Sequence, residues 1–151
     1  MKAAYINPFV NAVIRLFQTM MTLPVNAGSP ALNQDAKPRH DVCGVIDVSG
    51  EVNGRVVVSM PEPLAITLAS ELLGDTIETL DEDCIDAVGE IANMIAGNAK
   101  TDFPGGANAI SVPQVVVGRE KVAYPSATPV INIPCETDEG PLDIDVALKT
   151  C

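Results

Sequence analysis

The spacing of apolar residues predicts three helices. Residues 8–21 carry apolar side chains at every third or fourth position, and Asn7 before Pro8 is typical of an N-cap followed by a first-turn proline. A second helix is predicted over 63–73, where Gly74 ends it. The third is predicted over 82–100, because acidic residues at its start match the positive end of a helix dipole.

Runs of β-branched residues predict an antiparallel sheet. The runs at 42–48 and 55–60 flank a polar, glycine-containing turn, which is typical of a β-hairpin. Strands joined by hairpins pair antiparallel, so we predict an α+β fold in which an antiparallel β-sheet packs with long α-helices. The succession of helices and strands also suggests a weak internal pseudo-repeat. The other predictions are an irregular strand and loop at 23–41, strands at 109–117, 128–133 and 142–149, and a hairpin turn at 137–140.

Composition indicates one domain over residues 1–151 with an aliphatic core. Hydrophobic residues make up 47% of the chain, aromatic residues only 3%, and tryptophan is absent. We therefore expect a core of Val, Ile, Leu and Ala, with the sheet covered on both faces. Two domains of half this length would each be marginally stable without disulfides or metals.

Charge excludes several classes of partner. Twenty acidic residues against nine basic ones give a net charge of −11, which repels nucleic acids and anionic membranes. The longest uncharged stretch, 16–34, contains Pro24 and Pro30 and cannot form a membrane-spanning helix. The first residues lack the clean apolar segment of a secretion signal. We therefore expect a soluble, cytoplasmic protein.

The residues that form metal sites and disulfides are few and scattered. The four cysteines lie at 43, 84, 135 and 151 without a close pair, and His40 is the single histidine. This spacing matches no zinc site and argues against a disulfide framework. We expect reduced thiols that pack as small hydrophobic side chains, and no metal bound by this chain.

The most informative polar residues lie on the third predicted helix. At about 100° per residue, Asp86, Glu90, Asn93 and Gly97 fall on one side, and we call these four residues the polar ridge. The opposite side is apolar and predicts the buried face, which consists of Ile85, Val88, Ile91, Ala92, Ile95 and Ala99.

Two glycines distinguish this helix from an ordinary solvated one. Gly89 and Gly97 each cost about 1 kcal/mol relative to alanine inside a helix, so glycine there suggests a close approach to the backbone. The polar ridge also lacks a lysine placed to stabilise the helix by pairing with an acid. A solvated helix face without a function is the alternative interpretation at this point.

The polar ridge and much of the chain resemble a known family. The pattern Asp86-x3-Glu90-x2-Asn93, followed by Met-Ile-Ala-Gly-Asn-Ala-Lys, resembles the signature helix of the CheC/CheX/FliY chemotaxis phosphatases and is most similar to CheX. A single Glu-Asn motif is also similar to CheX, since CheC-like members can carry two. The family motif ends in a proline, and Pro113 is its equivalent here. The resemblance continues through 7–9, 37–41, 49–51, 54–59, 73–74, 112–113, 117–118, 133–134 and Gly140.

This resemblance implies a phosphatase that acts on the aspartyl phosphate of a CheY-type response regulator in chemotaxis or two-component signalling. It implies that Asn93 positions the attacking water and that Glu90 forms a salt bridge with a lysine of the regulator. Gly97 and Pro113 are expected to lie at the contact with the regulator. Asp86 either helps to position the ridge or only adds charge near the helix start, and both interpretations stay open.

The same resemblance implies the cofactors and partners. The regulator would supply the phosphoaspartate, Mg²⁺ and a lysine, so the chain needs no cofactor of its own. CheX-like proteins form homodimers by pairing sheet edges, and a homodimer is expected here. The alternative function is a non-catalytic module that binds a response regulator or resembles flagellar switch proteins. A phosphate loop and a Ser–His–Asp site are disfavoured, because 97–101 lacks the required first glycine and His40 is the single histidine.

Overall fold

The computed structural model describes residues 3–105 and 107–150, and these form an α+β fold as predicted. The helices are α1 (Ala3–Met20), α2 (Glu62–Leu73) and α3 (Glu82–Thr101), and Arg119–Lys121 form a short 3-10 helix. The strands are β1 (Val25–Ala27), β2 (Ala31–Leu32), β3 (Val42–Gly50), β4 (Val52–Met60), β5 (Asn108–Ile110), β6 (Gln114–Val117), β7 (Ile131–Thr137) and β8 (Gly140–Thr150).

All these strands belong to one antiparallel sheet. Their order is β1-β7-β8-β4-β3-β5, with β2 also beside β7 and β6 also beside β3. Both predicted hairpins are confirmed, since β3 pairs with β4 and β7 pairs with β8. The strand predicted over 128–133 begins later, at Ile131, and continues to Thr137. The long strands therefore form the centre of the sheet and the short ones form its edges.

The helices cover one face of the sheet. Alternate residues of the central strands, such as Ile46 and Val58, are fully buried against side chains of all three helices. The opposite face is covered by an irregular segment, from which Val122 and Tyr124 contact the strands. The sheet is thus covered on both faces, but helices supply the cover on only one of them. The side chains of this segment pack into a small second hydrophobic cluster. The buried strand residues of that cluster are Cys43, Val45 and Val57.

Helix α1 begins earlier than predicted. Asn7 is not an N-cap, because the helix already includes Ala3 and Pro8 stands inside it. A proline inside a helix removes one backbone hydrogen bond and crowds the preceding turn. Pro8 and the neighbouring Phe9 are both buried, so packing against the core offsets that cost. Tertiary packing, rather than the local capping pattern, decides where this helix begins.

The strand predicted over 109–117 is divided by a bulge. Val112 and Pro113 together stand opposite a single residue of β3, Ile46. Before the bulge, the backbone N–H of Ser111 donates to the carbonyl oxygen of Asp47 at 2.9 Å. Pro113 has no N–H to offer to β3, which favours an interruption of the ladder at this point.

The cysteines that the structure describes are buried thiols, as predicted. Cys43, Cys84 and Cys135 are buried and form no disulfide. Burial raises the pKa of the Cys43 and Cys135 thiols to about 12, and it also raises the pKa of Cys84. Such thiols stay protonated at neutral pH and pack as small apolar side chains. Cys151 lies outside the described residues.

Candidate functional site

Helix α3 is stabilised at both ends, which fixes the position of the polar ridge. The carboxylate of Asp81 accepts a hydrogen bond from the backbone N–H of Cys84 at 2.9 Å, and this N-cap satisfies a donor that would otherwise lack a partner. Glu82 and Asp83 in the first turn and Lys100 in the last turn have the charges that the helix dipole favours. The prediction of this helix is confirmed.

Helix α3 lies very close to the sheet because Gly44 of β3 has no side chain. A Cβ at Gly44 would lie 2.6 Å from the Cβ of Ala92, which is too close for any larger residue without a shift. Since Asn93 follows Ala92, this contact holds the ridge at a fixed distance from the sheet. The predicted buried face is confirmed except for the half-buried Ile85, and its buried members are Val88, Ile91, Ala92, Ile95 and Ala99.

The polar ridge faces away from the core. Asp86 and Glu90 are exposed, and Asn93 and Gly97 are partly exposed. Within 3–105 and 107–150, the side chains of Asp86, Glu90 and Asn93 form no hydrogen bond or ion pair with another residue. A carboxylate and an amide that a rigid helix presents in this way can bind a group on another molecule.

The two glycines of α3 have different surroundings. A Cβ at Gly89 would lie 3.3 Å from Cγ2 of Val115 and 3.6 Å from Cγ of Pro113. Gly89 is therefore explained by the chain's own β5–β6 segment and not by a partner. At Gly97 the nearest contact would be Cδ1 of Ile110, at an ordinary 3.8 Å. Internal packing therefore does not require glycine at position 97.

Pro113 lies beside the polar ridge, although it is distant in sequence. Its ring packs next to Gly89, which is within one helical turn of Asp86, Glu90 and Asn93. The bulge between β5 and β6 brings this proline to the helix. The structure thus places all five predicted site residues along or beside one stretch of α3.

A second polar cluster is buried on the opposite face of the sheet. Asp143 and Asp145 of β8 are only 6% and 1% exposed. Nδ2 of Asn132 donates to both carboxylates, at 3.0 Å to Asp143 and 2.9 Å to Asp145. The Tyr124 hydroxyl donates to Asp145 at 2.6 Å, and Nε2 of His40 lies 2.7 Å from Oδ1 of Asp143. We call Asn33, His40, Tyr124, Asn132, Asp143 and Asp145 the buried carboxylate network.

This network ties two irregular segments to the sheet. Nδ2 of Asn33 lies 3.3 Å from Oδ2 of Asp145 and also donates to the carbonyl oxygen of Lys37 at 2.9 Å. Burial raises the pKa of Asp145, and the hydrogen bonds from Tyr124, Asn132 and Asn33 only partly oppose that shift. Burial, with the adjacent Asp145 carboxylate, raises the pKa of Tyr124 as well. Because its groups bind one another on the face away from α3, we assign the network a structural role.

The sequence pattern did not reveal the buried carboxylate network. Aspartates at alternate positions of a strand are typical of a face in water, and Asp143 and Asp145 follow that pattern. The useful signal would have been the single histidine in the 37–41 motif, since His40 pairs with Asp143 across the fold.

The residues that the structure describes contain neither a metal site nor a membrane-spanning helix. Within 3–105 and 107–150, no group of three or more His, Cys, Asp or Glu side chains is arranged to hold a metal ion. The same ranges contain no helix with the length and hydropathy needed to cross a bilayer. The polar ridge is therefore the candidate site.

Comparison with known sequences gives the ridge a family context. The family model of the chemotaxis phosphatase CheX matches residues 42–136, a range that includes α3 and Pro113. The CheY-P phosphatase CheX of Thermotoga maritima is 25% identical over 154 residues, which cover 99% of each chain.

Solved structures of similar proteins have the same fold. A chemotaxis protein CheX from Desulfovibrio desulfuricans is 30% identical, covers 96% of this chain and 99% of that chain, and has a TM-score of 0.87. The CheX–CheY–BeF3–Mg²⁺ complex from Borrelia burgdorferi is 22% identical, covers 96% of this chain and 97% of that chain, and has a TM-score of 0.80. The predicted CheC/CheX-like fold is confirmed.

Proposed function

Because this chain belongs to the CheX family of chemotaxis phosphatases, we propose that it hydrolyses the aspartyl phosphate of a CheY-type response regulator. The observation that carries the proposal is the polar ridge, which presents Glu90 and Asn93 without internal partners. The activity named for the Thermotoga relative supports this substrate. The Borrelia complex supports a CheY protein as the partner.

The chemistry of the ridge suits this reaction. Water attacks the phosphorus atom, the bond between phosphorus and the aspartate oxygen breaks, and its electron pair returns to the aspartate carboxylate. Inorganic phosphate leaves with the oxygen and both protons of the water. An acyl phosphate is already reactive, so a group that holds the water in line supplies much of the acceleration. The Asn93 amide can both donate and accept hydrogen bonds, and it carries no charge that the phosphoryl group would repel.

Glu90 is suited to dock the regulator. Its carboxylate lies one helical turn before Asn93, where it can pair with the lysine beside the acyl phosphate of the regulator. Such a pair would fix the register in which Asn93 meets the water. Asp86 lies one turn before Glu90 on the same side of the helix. Its negative charge favours a partner surface that is positive.

Several further features belong to this proposal. The Mg²⁺ of the reaction is held by the regulator, and this chain supplies no cofactor of its own. The chain acts in the cytoplasm as one phosphatase domain over 1–151 and forms a homodimer. The two outer edges of the sheet, formed by β1 with β2 and by β5 with β6, support the homodimer because edge strands can pair between copies.

The proposed function is tested on a panel of phosphorylated CheY-like regulators encoded in the same genome. We expect this protein to accelerate the release of inorganic phosphate from at least one of them. A regulator that binds tightly but keeps its phosphoryl group would contradict the phosphatase. That outcome would favour the alternative, a non-catalytic regulator-binding or flagellar-switch-like module.

Replacing Glu90 should weaken binding of the regulator more than it slows the hydrolysis step. For Glu90→Ala we expect KM to rise about tenfold with a smaller change in kcat, because the lost salt bridge acts on binding first. Glu139→Ala is the matched control, since it removes an exposed acid from the turn between β7 and β8, outside α3. Equal effects of the two substitutions would mean that only net charge matters, and would contradict a specific contact.

Replacing Gly97 should affect stability and binding in opposite directions. For Gly97→Ala we expect the free energy of unfolding to rise by up to about 1 kcal/mol, because alanine favours the helix and a Cβ fits there. We also expect weaker binding, because the added methyl group would keep the regulator away from the backbone. Urea unfolding and titration with the regulator measure the two effects. Unchanged affinity would remove Gly97 from the proposed contact.

A further inference from the structure

An exposed valine stands in the bulge between β5 and β6. Val112 is 85% exposed, more than any other large hydrophobic side chain in the described part of the chain, and the next is Leu32 at 53%. A side chain in water contributes no hydrophobic stabilisation to the fold. Single exposed apolar residues are common on protein surfaces. The exposure of Val112 therefore indicates a function only in combination with the rigid backbone around it and its position in the chain next to Pro113.

The backbone around Val112 is held rigidly. The N–H of Ser111 donates to the carbonyl oxygen of Asp47 at 2.9 Å, and the Ser111 hydroxyl accepts from the N–H of Asp47 at 2.9 Å. The same hydroxyl donates to the carbonyl oxygen of Val112 at 3.1 Å. On the other side Pro113 fixes φ, and β6 begins directly after it. A side chain on such a backbone loses little conformational entropy when it binds.

Val112 directly precedes Pro113, which lies beside the polar ridge. The ring of the next residue, Pro113, packs against α3 at Gly89, which directly precedes Glu90. Val112 and Pro113 therefore place an uncharged, partly apolar surface next to the turn of α3 that carries Asp86 and Glu90. The complementary surface on a partner has a positive group next to a small apolar patch.

We propose that Val112 is an apolar anchor that packs into a small hydrophobic patch of the response regulator, next to the lysine that pairs with Glu90. This inference rests on the proposed function, because the regulator that Asn93 acts on is the occupant of this surface. Val112 takes no part in the chemistry. It strengthens binding and helps to select the regulator, since a polar patch on another regulator would be desolvated without a hydrogen-bonding partner.

The substitution Val112→Thr tests the anchor, because threonine keeps the branched shape and replaces one methyl group by a hydroxyl. We expect KM for the phosphorylated regulator, and Kd for the regulator activated with beryllium fluoride, to rise about fivefold. Both kcat and the melting temperature should stay unchanged. Val117→Thr is the matched control at the far end of β6, where the valine is 42% exposed, and it should change none of these values.

The possible outcomes distinguish a failure of the Val112 anchor proposal from a failure of the proposed phosphatase activity. Unchanged KM and Kd for Val112→Thr would overturn the anchor. Reduced self-association in sedimentation, with unchanged affinity for the regulator, would also overturn it and assign Val112 to a contact between copies. If the wild type binds a regulator without dephosphorylating it, the proposed phosphatase function is contradicted. Weaker binding of that regulator by Val112→Thr would still support the anchor.

Discussion

Asn93→Ala should remove most of the catalysed hydrolysis while leaving the regulator bound. At saturating protein we expect the variant to dephosphorylate the regulator about 100-fold more slowly than the wild type, because the attacking water loses the group that aligns it. The measurement is the loss of a radiolabelled phosphoryl group from the regulator in single turnover. Affinity for the regulator activated with beryllium fluoride should be retained, because Glu90 and Val112 are unchanged.

Two further variants make this prediction specific. Asn93→Asp keeps the size of the side chain but adds a negative charge and removes both N–H donors, so it should be no more active than Asn93→Ala. Asn98→Ala is the matched control, because Asn98 is a partly exposed asparagine on another side of α3, and it should keep full activity. Near-normal activity of Asn93→Ala would contradict the water-positioning role, whatever Glu90→Ala does.

Asp145→Ala should have the largest effect on folding. The substitution removes the acceptor of the half-buried Tyr124 hydroxyl and one acceptor of the buried Asn132 amide, and it leaves both donors without that partner. We expect the free energy of unfolding to fall by about 3 kcal/mol at neutral pH, since each unsatisfied buried donor costs about 1–3 kcal/mol. Urea unfolding followed by circular dichroism, at one fixed protein concentration, measures the change. Phosphatase activity at low temperature should persist, because the network lies on the face away from α3.

The pH dependence of this loss follows from the raised pKa of Asp145. Burial raises the pKa in the folded state above its ordinary value of 3.8, so the folded protein binds the proton more tightly than the unfolded chain does. The stability that this group contributes is therefore full below the ordinary pKa and declines as the pH rises through the raised pKa. The difference in unfolding free energy between wild type and Asp145→Ala should accordingly be larger at acidic pH than at neutral pH.

Asp47→Ala is the matched control for this effect. Asp47 lies on the same face of the sheet, but it is exposed and pairs with Arg55 at 2.8 Å. Exposed ion pairs contribute at most about 1 kcal/mol, so we expect a small loss with no comparable dependence on pH. Equal losses in the two variants would contradict a stabilising role of burial and hydrogen bonding at Asp145.

Local sequence signals were sufficient for most of the elements and for the ridge. The apolar residues of α3 recur with the helical period. Their spacing therefore also identified the opposite, polar side of the helix, which carries Glu90 and Asn93. Gly74 has φ 65° at the end of α2, and only a glycine adopts this conformation without strain, which is why the predicted end of that helix is confirmed.

Features that depend on distant contacts could not be predicted in the same way. The capping pattern at Asn7 was overruled because Pro8 packs into the core. Gly89 could not be distinguished from Gly97, because only the folded chain brings Val115 and Pro113 against it. The burial of Asp145 likewise depends on Tyr124, which comes from a segment distant in sequence.

The edges of the sheet have a consequence for aggregation. One edge consists of β1 and β2, with three and two residues, and the other of β5 and β6, with three and four. The strands of nine and eleven residues, β3, β4 and β8, are all paired on both sides. Amyloid-like growth needs a long unpaired strand as a template for the next chain. With short edges interrupted at Pro30 and Pro113, two copies can join along a few residues, but residues 3–105 and 107–150 offer no template for the unlimited stacking of chains into fibrils.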